Sequence, residues 1–192
     1  MKDAPYFPTC SWRRALLFVI LTAVALHAQQ STAAYCSEVQ SYAAAHQSDA
    51  ELFSAVPQNK DPERDHWKKV SSQAELQSIA KNGNSTAEVI RRDGHIVAVD
   101  AVYQNQFGDS TLRVQYCFRP DGTLAQLHSD LKSFHGGMRV VRAMSFDENG
   151  RQLSDDAKSF DLETGQPRKL PSDFWDFPPP IFRHVNDLPF GG

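Results

Sequence analysis

The chain has 192 residues, 41% hydrophobic and 22% charged, with a formal net charge of −3: enough for one domain with a sizeable core, and too apolar for wholesale disorder. No basic run exceeds two residues, which argues against nucleic acid or an anionic membrane surface as partner, because both require clustered positive charge.

Residues 1–28 have the form of a secretory signal peptide. Arg13 and Arg14 precede the apolar run Ala15 to Leu26, and the small Ala28 closes it. That run is shorter than the roughly 20 apolar residues needed to span a bilayer, so cleavage near Ala28 is expected, giving a secreted or periplasmic protein without stable membrane insertion. Loss of Lys2, Arg13, Arg14 and Asp3 with the leader leaves 17 basic and 22 acidic side chains, a formal charge of −5. Two cysteines remain, Cys36 and Cys117. In an oxidising compartment they form a candidate disulfide, which would add roughly 3 to 5 kcal/mol of stability; the alternative is two separate buried thiols.

Residues 29–165 read as a single domain. From Tyr35 to His46, the spacing of Tyr35, Val39, Tyr42 and Ala43 predicts an amphipathic helix. Asp49 is placed to cap a second short helical turn carrying Leu52, Phe53 and Val56, ended by Pro57. A charged connector, Gln58 to Asp65, leads to Trp67 and Val70 and then to a better-signed helix. There Ser72 or Ser71 can cap it, Glu75 follows Ser72 by three residues as in a capping box, Leu76, Ile79 and Ala80 make the apolar stripe, and Gly83 stops it. The helical region thus spans 35–83.

Residues 86–165 predict an antiparallel meander. Glycines 94, 108, 122, 136 and 150 recur every 14 residues between segments rich in Val, Ile, Leu, Tyr and Phe. Centring hairpins on these turns places Tyr103 opposite Leu112, Ala101 opposite Val114, Val99 opposite Tyr116 and Val97 opposite Phe118. The next hairpins set Tyr116 against Leu127, Leu112 against Leu131 and Phe118 against Ala125, then Leu131 against Val140, Leu127 against Met144 and Ala125 against Phe146. One continuous apolar face results. A polar last strand, near Leu153 to Leu162, suits a sheet edge. Phe118-Arg119-Pro120-Asp121-Gly122 is echoed 28 residues later by Phe146-Asp147-Glu148-Asn149-Gly150.

Residues 166–192 form a Pro/aromatic C-terminal arm, read either as a cover over apolar surface or as a polyproline-type ligand for a partner. The predicted fold is therefore α+β: a meander of five to six strands, N-terminal helices packed over its apolar face, and the arm.

The same registers place Asp100, Gln115, His128 and Ala143 in one row on the second face, with Val102, Arg113, Asp130 and Val141 in the next. His128 with Asp100 or Asp130 is a minimal general-base arrangement, and Arg113 with Gln115 completes a candidate ligand-binding patch. In the plainer reading this is a half-solvated polar face with an Arg113–Asp130 cross-strand charge pair. The six histidines beyond the leader show no zinc spacing, and no GxSxG, phosphate loop or dinucleotide fingerprint occurs, so neither a metal nor a cofactor is expected. The functional expectation is a non-catalytic binding or protein-interaction module for an unidentified protein or small ligand. The alternative is a small hydrolase or isomerase using His128 as general base.

Overall fold

The computed structural model describes residues 32–56, 66–105, 107–170 and 178–190. The leader and the whole connector 58–65 lie outside them, as do Phe174, Trp175 and Phe177 of the arm. Helix α1 (32–45) is followed by a 3-10 turn, Gln47–Asp49. Then come β1 (Glu51–Ala55), β2 (Trp67–Val70), α2 (Gln73–Lys81), β3 (Ser85–Arg92), β4 (His95–Gln104), β5 (Ser110–Phe118), β6 (Leu124–Ser133), β7 (Met138–Phe146) and β8 (Gln152–Asp161). All eight strands make one antiparallel sheet in the order β2-β1-β3-β4-β5-β6-β7-β8.

The sheet has eight strands rather than five to six. The meander β3 to β8 supplies six of them; β1 replaces the expected helical turn, and β2 is formed by the residues just before the second helix. Leu52 and Phe53 are adjacent apolar residues that a helix would place side by side, whereas in β1 they point to opposite faces. Leu52 meets Val70 and Leu76, and Phe53 packs into the main core. Burial on both sides of a strand removes the alternation by which it would be recognised.

Most of the expected hairpin registers are present: Val99↔Tyr116, Tyr116↔Leu127, Leu127↔Met144, Leu112↔Leu131 and Leu131↔Val140. The departures occur at bulges. Phe118 pairs with Leu124 rather than Ala125, and Phe146 pairs with Gln152 after a second shift; a third lies at Ile90/Arg91. Each bulge leaves one extra residue, Val97 in β4, Ala125 in β6 and Leu153 in β8, and so reverses the in/out phase of the strand end. Ile96 and Leu124 thereby join the main core, to which Phe118 and Phe146 point by regular alternation, while Val97 and Ala125 turn to the other face.

That reversal determines where the helices sit. They do not cover the main apolar face, as the sequence had suggested. Instead α1 lies on the opposite face, over an apolar seat made by Ile90, Val97, Cys117 and Ala125, into which it inserts Cys36 and Val39. The Cys36–Cys117 disulfide, with 5.8 Å between Cα atoms and 81 residues between partners, fastens it there. Tyr35 Oη donates to the Phe118 carbonyl at 2.8 Å, and Arg92 pairs with Glu38 at 2.8 Å while lying over the Tyr42 ring. Helix α2 uses the same face through Leu76 and Ile79 against Leu52 and Val70. Its cap is a shifted version of the expected box: Ser72 Oγ accepts from Glu75 N, but the Glu75 carboxylate reaches Ser71, not Ser72.

The main apolar face is closed by the C-terminal arm. Phe182 and Leu188 are buried in it, with Ile181, Val185 and Phe190 packed alongside. Tyr116 Oη donates to the Pro180 carbonyl at 3.0 Å, Leu124 N to Arg183 O and Val185 N to Gly122 O, both at 2.9 Å. Phe190 stacks on Phe53 and meets Trp67 edge-on. The 28-residue echo also has a structural counterpart. Its two turns repeat the same hydrogen bonds, Gly122 N to Arg119 O and Gly150 N to Asp147 O, and the arm touches both through His184 at Asp121 and Arg183 at Gly150.

Candidate functional site

The polar row foreseen for the second face is present residue for residue, Asp100↔Gln115, Gln115↔His128 and His128↔Ala143, and Glu88, opposite Asp100, extends it. Alongside it run Val102↔Arg113, Arg113↔Asp130 and Asp130↔Val141. Because α1 rests on the apolar seat at one end of these strands, it forms one wall of a cleft of about 330 Å³ whose floor is the polar row. Val39, Gln40, Ala43 and Ala44 contribute the helical wall, and Gln115, Gln126 and His128 line the floor.

The candidate residues come together, but not as a proton-transfer pair. Asp100 is held by Arg113, whose Nε and Nη2 donate at 2.9 and 2.5 Å, and by Gln115 Nε2 at 3.0 Å. Asp130 is held by Arg139 through Nε at 2.8 Å and Nη2 at 2.7 Å. The expected Arg113–Asp130 pair is therefore not formed, although the two residues are register partners. A long guanidinium on a twisted sheet reaches a diagonal neighbour as readily as the one opposite, and two bidentate diagonal pairs satisfy both carboxylates. Asp100's hydrogen bonds hold the Arg113 guanidinium charged above its ordinary range. Exposed His128 has no hydrogen-bond partner among the described residues, so neither carboxylate sets its tautomer.

Glu88 is a cleft residue that sequence reasoning missed. It joins three elements by accepting from Gln47 Nε2 at 3.2 Å and from Gln73 Nε2 at 3.1 Å. Its strand position on the polar face was the available signal. Its place in the row depends on β1 and β3 packing under both helices, which local pattern does not reveal. Asn84-Ser85-Thr86 fits the short N-glycosylation acceptor pattern and is tied into the fold: Asn84 Nδ2 donates to the Ile79 carbonyl, and Ser85 and Thr86 are buried.

Among the described residues no group of three or more His, Cys, Asp or Glu side chains is arranged to hold a metal ion, and no helix is long and apolar enough to cross a membrane. Set against known proteins, the chain matches no family model, no curated protein and no solved structure.

Proposed function

We propose that the protein is an exported, non-catalytic binding module whose ligand enters the cleft between α1 and the polar row of the sheet. One observation carries this reading: the cleft has ligand-sized volume, one largely apolar wall and, on its floor, His128 and Gln126 without hydrogen-bond partners among the described residues, while both neighbouring carboxylates are engaged by arginines. A preformed amphiphilic cavity with a few convergent polar groups is the usual setting for small-ligand binding. The alternative, acid–base catalysis by His128, requires Asp100 or Asp130 to leave its bidentate arginine and reach the imidazole. Export is supported by the form of residues 1–28 and by the buried Cys36–Cys117 disulfide, since such bonds persist in oxidising compartments.

The test is a ligand screen by NMR on the disulfide-bonded protein, using amino acids, short peptides, sugars and organic acids at millimolar concentration. The Gln115 and Gln126 side-chain amides should shift with at least one class, and Ala44→Phe, which fills the cleft from the exposed side of α1, should abolish the shift. Shifts confined to other surfaces would overturn the assignment.

A further inference from the structure

Two gradients cross in the cleft. Along the strands the floor passes from the apolar row Ile90, Ala98, Cys117 under α1 to the polar row Glu88, Asp100, Gln115, His128 two residues further on, a step of about 6.6 Å. Across the strands that polar row changes character. Glu88 at the β3 end is a carboxylate whose oxygens each accept one glutamine amide, leaving acceptor sites unused. Next comes the mutually neutralised Asp100–Arg113 pair. The β6 end holds His128 and, two residues along the same strand, Gln126, both without hydrogen-bond partners among the described residues and both able to donate. Three strand spacings of about 4.8 Å separate the two ends, on the order of 14 Å between backbones.

From this geometry we infer that the cleft takes a short zwitterionic peptide of two or three residues with small aliphatic side chains, an assignment that rests on the proposed binding role of the cleft. The peptide's ammonium group sits at Glu88 and its carboxylate at His128 and Gln126. Its side chains lie against Val39, Ala43 and Ala98, and Gln115 faces its central amide. Three residues reach about 10 Å when extended, which matches the row once the flanking side chains are included. A plain aliphatic acid would leave Glu88 unanswered, and an amine would leave His128 and Gln126 unanswered.

The experiment is isothermal titration of the disulfide-bonded protein with trialanine, N-acetyl-trialanine and trialanine amide, repeated on Glu88→Gln, His128→Gln and Ala44→Phe after circular dichroism shows that each is folded. Trialanine should bind in the millimolar range or tighter, and blocking either terminus should weaken it at least tenfold. In Glu88→Gln acetylation should cease to matter while amidation still does; in His128→Gln the reverse should hold. Equal binding of free and blocked peptides would overturn the ligand class. So would absent trialanine binding when another compound shifts the Gln115 and Gln126 amides, and that result would leave the cleft's role standing. Trialanine binding that survives Ala44→Phe would remove both.

Discussion

The two faces of this sheet are built from the same strands and closed in opposite ways. On one face Tyr103, Phe118, Leu127 and Phe146 are almost fully excluded from water, and the chain's own C-terminal arm seals them with Phe182 and Leu188. On the other, a helix covers only the end made apolar by two bulges, and beyond its edge the polar row stays open as a cleft. The closed face supplies most of the hydrophobic stabilisation. The open face is free to carry polar groups because the fold does not depend on burying them.

Cutting the tie between α1 and the sheet should have the largest effect. Replacing Cys36 and Cys117 by alanine should lower stability in urea denaturation by about 4 kcal/mol, the chain-entropy expectation for a loop of this length, and abolish binding in the cleft, since α1 is one wall of it. On the closed face, Phe182→Ala should cost about 3 kcal/mol in the same assay and make the arm the first site cut by limited proteolysis. An arm that stays resistant after this change would show that its backbone hydrogen bonds, not its aromatic anchor, hold it down.

Gly122→Ala tests the junction between arm and meander. Gly122 has φ +86°, and an added Cβ would lie 2.8 Å from the His184 ring and 2.9 Å from Val185. Gly165 has φ +69° with open space around it. Gly165→Ala should therefore show only the backbone cost, about 1 kcal/mol, and Gly122→Ala roughly twice that, because the arm must also shift.

A smaller effect is expected with acid. Hydrogen bonds from Arg142 hold the Asp155 carboxyl below its ordinary range, against the opposing effect of burial. A folded-state pKa below the unfolded value means that the stabilisation is present above about pH 4 and is lost as the pH falls through the lower, folded value. Thermal melts from pH 5 to pH 2.5 should show a decline that Arg142→Gln reduces and added salt weakens. At the bottom of the scale, His128→Ala should change stability by less than about 0.5 kcal/mol, because the side chain is exposed and bonds to no described residue. A larger loss would place His128 in the framework of the open face rather than at its ligand.

The meander and its polar row were legible because a hairpin couples two local signals, turn residues and period-2 alternation, into a register that a one-residue slip would invert. Asp100, Gln115 and His128 aligned on that basis alone. Strand β1 was hidden because Leu52 and Phe53 pack on opposite faces and carry no alternation. The ion pairs were hidden because which carboxylate an arginine takes depends on sheet twist and side-chain reach. One turn shows how local the limit is: the 14-residue spacing points to Gly136, yet the left-handed position is the next residue, Gly137, with φ +57°, and the four-residue loop leaves the register intact.

Residue order alone determined the bends, the alternation and hence the pairing of neighbouring strands, since each depends on contacts between residues close in the chain. Which face the helices cover, where the arm lies and whether a cleft exists were decided only in three dimensions. Those outcomes turn on bulges at Ile90/Arg91 and Cys117/Phe118 and on a disulfide across 81 residues, where distant segments compete for the same apolar surface and the better-packed arrangement prevails.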